Sequence, residues 1–203
     1  MKLILLDRGD RKPLTDWVKD RFKDYDIICP NFEPLTSDKD IVARLRIGVA
    51  EARDEDFVYI LENDDYYPFD YIERMEKIRK KSKAHWIGDY SPWYYSIRTK
   101  TYQQFHMKVS GLWCMGFHPG IMEHIKWLDD AHLSMDGWIS KGAARLPWAT
   151  TVLYSGHGGV GIKGHGYGMP GSVSHKETFR NRDSNIRWLV NHTDESFVNL
   201  HYG

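Results

Sequence analysis

Residues 57–65 constrain this chain more than any other stretch. Phe57-Val58-Tyr59-Ile60-Leu61 is an unbroken apolar run that passes directly into Glu62-Asn63-Asp64-Asp65, with Pro68 three residues further on. A segment that is apolar at every position has no face for solvent, so it predicts a central strand covered on both sides. Cover on both sides means helices packed above and below a sheet, with the acidic cluster held at the strand's carboxyl end.

The rest of the first half fits that frame. Leu3 to Leu6 is a second continuous apolar run, ending at Asp7-Arg8-Gly9-Asp10 in a polar turn. Pro13 suits a helix N-terminus, and Leu14, Trp17, Val18 and Phe22 follow at helical spacing. Tyr25 to Cys29 then reads as a strand closed by Pro30, which makes a β-α-β opening. Ser37 can cap a helix to about Ala52, with Ile41, Leu45, Val49 and Ala52 on one face and Arg44 and Arg46 off it. Phe69 to about Lys83 is amphipathic and ends in Lys77, Arg79, Lys80, Lys81 and Lys83, where the helix dipole favours cations. Beyond it come short aromatic segments (93–97, 102–109, 113–117) and helical patches (119–128, 135–144). The fold expected is α/β: one domain built on a Rossmann-type mixed, mostly parallel sheet flanked by helices.

Composition narrows the class. At 203 residues, 41% hydrophobic and 28% charged, the chain can bury a proper core and is not disordered. Its 28 basic and 28 acidic residues exclude a globally basic nucleic-acid binder, so any such contact needs a local patch. Cys29 and Cys114 cannot make a disulfide framework or a cysteine zinc site, which fits a reducing compartment. No apolar run approaches the roughly 18 residues of a membrane span, so a cytoplasmic location is expected. The eight Trp and twelve Tyr suit sugar or base stacking and suit an ordinary core equally.

In an open α/β sheet, ligands bind outside the carboxyl ends of the strands, where Glu62, Asp64 and Asp65 fall. Alternate residues of an extended segment point the same way, so Glu62 and Asp64 can share a cation, and oxygen-only ligation suits Mg²⁺ or Mn²⁺. An exposed acidic turn is the other reading. Residues 155–171 hold eight of the seventeen glycines together with His157, Lys163 and His165. Such a segment is a lid, or a backbone packed close to a ligand. Gly159-x-Gly161-x-x-Gly164 spells a dinucleotide fingerprint, but His165-Gly166-Tyr167-Gly168-Met169-Pro170 cannot open the helix that fingerprint requires. Asp136 starts a helical stretch, as a structural first-turn acid or as a general base, and Trp138 beside it could stack on a sugar or pack inward. HExxH, GxSxG and paired CxxC motifs are absent.

Ala43-Arg44-Leu45-Arg46-Ile47-Gly48-Val49-Ala50 followed by Tyr59-Ile60-Leu61-Glu62-Asn63-Asp64-Asp65-Tyr66-Tyr67-Pro68 resembles the GT-A fold, family-2-like nucleotide-sugar glycosyltransferases. There an arginine or asparagine helix precedes a strand ending in Asp-x-Asp, here Glu62-Asn63-Asp64. The resemblance implies a metal-dependent transfer of sugar from a nucleoside diphosphate sugar, a UDP-sugar above all, to an acceptor hydroxyl, with inversion. Asp7 and Arg8 would meet the nucleoside, Arg44 the uracil or phosphate, and Lys163 the diphosphate. Glu62, Asn63 and Asp64 would lie along the donor, and Asp64 with Glu62 would hold the Mn²⁺ or Mg²⁺, completed by His157 or His165. Asp136 would be the base, and Trp113 and Trp138 would face the acceptor. Residues 1–110 would form the donor half and 111–203 the acceptor half, with the glycine-rich loop 155–171 in the latter. The acceptor could be a saccharide or a hydroxymethylated base in DNA, with Lys77 to Lys83, Lys176, Arg180, Arg182 and Arg187 toward phosphates. Two other classes stay open: a metal-dependent nucleotidyltransferase or phosphohydrolase, and a non-catalytic carbohydrate or nucleic-acid binding module.

Overall fold

The two continuous apolar runs become neighbouring parallel strands. In the computed structural model, which describes residues 1–7, 12–33, 35, 37–106, 108, 110–124, 135–156, 158–164 and 178–203 (the backbone alone at 37–39), β1 (Lys2–Leu6) pairs with β3 (Val58–Glu62) from Lys2 opposite Val58 to Leu6 opposite Glu62. β2 (Ile27–Ile28) lies parallel on the other side of β1, reached through α1 (Lys12–Arg21). Alternation along β1 and β3 then sends side chains into two separate cores. Leu3, Leu5, Tyr59 and Leu61 meet Val18 and Phe22, together with Tyr71, Ile72 and Met75 of α3 (Tyr71–Ser82). Ile4, Leu6, Val58 and Ile60 meet Leu45 and Val49 of α2 (Ser37–Glu51), with Ile139 and Ala143 of α5 (Met135–Ala143) and Ile121 of α4 (Gly120–His124). This burial on both faces is what the unbroken runs demand. Gly48 lets α2 approach, since a Cβ there would stand 2.5 Å from Ile4 Cγ2.

β4 (Trp86–Asp89), β7 (Met115–Phe117) and β8 (Thr151–Tyr154) complete a six-stranded sheet in the order β2-β1-β3-β7-β4-β8. β7 runs antiparallel between β3 and β4, and the other five strands share one direction. The architecture is the α/β one expected, a mixed, mostly parallel sheet flanked by helices. β7 and β8 come from beyond residue 110, so segments on both sides of that boundary build the first sheet.

A second sheet of four strands, in the order β10-β6-β5-β9, joins β5 (Trp93–Ser96), β6 (Thr101–Gln104), β9 (Val160–Lys163) and β10 (Asn181–Arg182). α6 (Arg187–His192) and α7 (Glu195–Tyr202) pack on it through Leu189, Phe197 and Val198, against Tyr66, Tyr95, Val160 and Ile162. β9 corrects the reading of residues 155–171 as a loop, because four of them form a fully buried strand. Glycine is depleted in strands because it has no side chain to pack. Here that absence is needed: a Cβ on Gly161 would lie 2.6 Å from the ring of Tyr94. No helix among the described residues is long and apolar enough to cross a membrane.

Candidate metal centre at the end of β3

β3 delivers Glu62 as its last residue and the chain turns at once, with the Asp65 amide donating to the Glu62 carbonyl at 3.4 Å. The Tyr67 hydroxyl holds the start of the turn by accepting from the Glu62 amide at 2.8 Å. Its far side is clamped to β9: Tyr66 and Val160 exchange two backbone hydrogen bonds of 2.9 and 3.0 Å. Between these clamps the Ile162 amide donates to Asp65 Oδ1 at 2.7 Å, and Lys163 Nζ stands 3.7 Å from the same oxygen.

The outcome is a compact acidic cluster. One carboxylate oxygen from each of Glu62, Asp64 and Asp65 lies within 4.8 Å of the others. Asp65 is fully buried, and its Oδ2 has no hydrogen-bond partner among the described residues. A buried carboxylate oxygen without a donor is costly unless a cation meets it. When all three carboxylates are ionised, Lys163 offsets one charge and two remain, which matches a divalent ion. Three oxygen donors are the chemistry of Mg²⁺ or Mn²⁺, so the residues present fit the ion the sequence suggests.

The electrostatics agree with the crowding. Burial pushes the Glu62 carboxyl up to about 7, with Asp64 and Asp136 adding repulsion against the pull of Lys163. Asp65 is raised well above the usual carboxylate range, again chiefly by burial. Burial alone would lower the Lys163 ammonium, but Asp65, Asp64 and Glu62 outweigh it and hold it above the usual lysine range. Asp136, in the first turn of α5, is raised by burial although its Oδ1 accepts from the Gly137 amide at 2.7 Å. Its charge acts on Glu62 from α5, outside the compact cluster of three carboxylates.

The end of β1 is tied to the same place. Asn63 Nδ2 donates to Asp7 Oδ1 at 2.8 Å and to Thr15 Oγ1 at 3.1 Å. Asn63 therefore joins the ends of the two central strands to α1. The structure thus gathers Asp7, Glu62, Asn63, Asp64, Lys163 and Asp136, and adds Asp65, which the motif Glu62-Asn63-Asp64 passes over. Its signal in the sequence is position alone, one residue beyond Asp64. Tyr67, which fixes the turn, carries no signal that separates it from a core tyrosine.

Two expectations change. Arg44 is 2% exposed, and its guanidinium is committed within the 30–44 region: Nε donates to Asp40 Oδ2 at 2.7 Å, Nη1 to the Pro30 carbonyl at 2.6 Å and Nη2 to the Phe32 carbonyl at 3.2 Å. It braces the chain before α2 and does not present itself to a nucleotide. Trp113 is 2% exposed and fills the core beside Tyr67 and Tyr94, its indole N–H donating to the Tyr94 hydroxyl at 3.2 Å. A ring packed in this way has no face left for an acceptor. Trp138, by contrast, is exposed on α5 two residues from Asp136. Arg8, His157 and His165 lie outside the described residues.

No protein-family model and no curated protein matches the chain. Among solved structures it is similar to A197 from STIV, at 16% identity and a TM-score of 0.47, over 76% of this chain and 82% of that one.

Proposed function

We propose that this chain is a divalent-cation-dependent glycosyltransferase that moves a sugar from a nucleoside diphosphate sugar, a UDP-sugar in the first instance, to an acceptor hydroxyl with inversion. The observation that supports it is the cluster of Glu62, Asp64 and Asp65 at the carboxyl end of β3, with the buried, donorless Oδ2 of Asp65 inside it. Glu62, Asp64 and Asp65 would hold Mn²⁺ or Mg²⁺, whose charge stabilises the diphosphate as it leaves. Lys163, charged and buried beside Asp65, keeps the three carboxylates from repelling one another and adds positive potential on the diphosphate side. Asp136, whose burial makes it a stronger base than a free aspartate, takes the acceptor proton. The acceptor oxygen bonds to the anomeric carbon, the bond from that carbon to the diphosphate oxygen breaks, and the electron pair departs with the nucleoside diphosphate.

The test is a thermal-shift and calorimetric titration with UDP and other nucleoside diphosphates, with Mn²⁺ or with EDTA. Ligands that bind the native state raise the melting temperature by linkage. Stabilisation by UDP that needs Mn²⁺ is expected. Stabilisation by nucleoside triphosphates with release of phosphate or pyrophosphate, and none by UDP, would assign the same carboxylates to a phosphohydrolase or nucleotidyltransferase.

A further inference from the structure

We propose that the β6–β10 edge of the second sheet binds single-stranded nucleic acid, with its phosphates on a row of cations and one base stacked on His192. The charge is the first observation. Lys100 closes the β5–β6 turn, Arg180 and Arg182 lie at β10, and Arg187 opens α6. All four are exposed, and none pairs with a carboxylate among the described residues. In a chain of zero net charge this is a local concentration of one sign. Asp183 is the one acidic residue between 178 and 193, and its carboxylate is buried, accepting from the amides of Trp188 and Leu189 at 2.9 and 3.2 Å. It anchors α6 and does not offset the arginines in solvent. Guanidinium groups suit phosphate oxygens by geometry as well as charge.

The second observation separates nucleic acid from other polyanions. Tyr102 of β6 stacks on Trp188 at 4.5 Å with 13° between planes, and Trp188 stacks on His192 at 4.1 Å with 14°. Trp188 is half-buried, whereas His192 is exposed. A base can extend that column at the imidazole, as aromatic side chains extend single strands elsewhere, and a sulfated or carboxylated sugar gains nothing comparable there.

The third observation connects this edge to the acidic cluster. Lys163 pairs with Ser96, Ser96 with Thr101 and Thr101 with Arg182, so the four residues form one row across the second sheet. Three strand spacings put the two backbones about 14 Å apart, and in-register partners share one face of the sheet, the face opposite Tyr102. A strand whose nucleotide reaches the centre would therefore pass around the β10 edge from the stacked column. That the strand is the sugar acceptor rests on the transferase reading; the binding surface does not.

Fluorescence anisotropy on the full chain tests the surface, with labelled 16-nucleotide single-stranded DNA and RNA of one sequence and with heparin as a competitor lacking bases. The expected result is salt-dependent binding of DNA, RNA or both, and the arm that binds more tightly names the nucleic acid. Arg182→Gln with Arg187→Gln should lower the slope of log affinity against log salt by about 1.4. His192→Ala should weaken strand binding roughly 5-fold or more and leave heparin binding unchanged. No binding at low salt, an unchanged slope in the double variant, or a His192→Ala variant that binds the strand as the parent does would each overturn the proposal. Stabilisation by Mn²⁺ and UDP, read on the same protein, separates the two ideas. Its loss with strand binding intact removes the transferase reading alone, and the reverse removes the surface alone.

Discussion

The Ile162 amide donates to Asp65 Oδ1 at 2.7 Å across 97 residues of sequence. One carboxylate thus ties the turn after the first sheet's central strand to the backbone of the second sheet's inner edge. It also faces the buried ammonium of Lys163.

Asp65→Asn should therefore destabilise the fold as well as the centre. The amide oxygen can still accept from Ile162, but Lys163 is left as a buried charge without its partner, a change that costs about 3–5 kcal/mol in comparable pairs. Urea denaturation of parent and variant, compared with the double variant Asp65→Asn/Lys163→Met, measures it. The double variant should recover part of the loss.

Asp64→Asn acts at the other side of the cluster, where burial is incomplete. It should leave the unfolding free energy from urea denaturation within about 0.5 kcal/mol of the parent. Mn²⁺ affinity by calorimetry should fall by more than about 10-fold, the scale on which even outer partners of a metal site act.

Glu62 gives the cation-free chain a pH dependence. Its carboxyl, raised to about 7 when folded against an ordinary value near 4.5, keeps a proton that the unfolded chain has released between those limits. The native state binds more protons there, so stability falls as pH rises from about 4.5 to 7 and levels off above. In EDTA the parent should lose stability more steeply across this window than Glu62→Gln does. Equal slopes would show that the carboxyl titrates in its ordinary range.

Trp113 and Trp138 should part company under mutation. Trp113→Ala opens a cavity against Tyr67 and Tyr94 and should cost about 3–5 kcal/mol. Trp138→Ala should cost far less, under about 1 kcal/mol, because Trp138 is 44% exposed. Any effect of Trp138→Ala on transfer would then appear in the KM for the acceptor.

Gly161→Ala places a methyl group 2.6 Å from the Tyr94 ring inside a buried strand. Overpacking of this kind costs about 1–3 kcal/mol. The melting temperature should drop, and Gly161→Ala combined with Tyr94→Leu should restore part of it.

The sequence was most informative where one interaction dominates. Runs apolar at every position, Leu3 to Leu6 and Phe57 to Leu61, have one way to hide from water, and they form the paired centre of the first sheet. Helical spacing around Leu45, Val49, Ile72 and Met75 located α2 and α3 for the same reason. Glu62 and Asp64 were legible because carboxylates at a strand end are few and positioned by the strand. Where a residue's role depends on contacts that no local pattern announces, the sequence is silent. Arg44 looks like an anion contact until Asp40 and two carbonyls take up its guanidinium. β9 looks like a loop until Tyr94 explains Gly161. Asp65 is one more acid in a turn until β9, nearly a hundred residues away, buries it.

The antiparallel insertion of β7 sets where the first sheet yields. β1 and β3 share five paired positions, and β4 and β8 share four. β7 holds these two blocks together with two positions toward β3 and three toward β4. Under mechanical load or in slow breathing, the sheet has its narrow waist in its interior. Amide exchange at Gly116 and its neighbours would report separation of the blocks while β1 and β3, with the acidic turn they carry, stay joined.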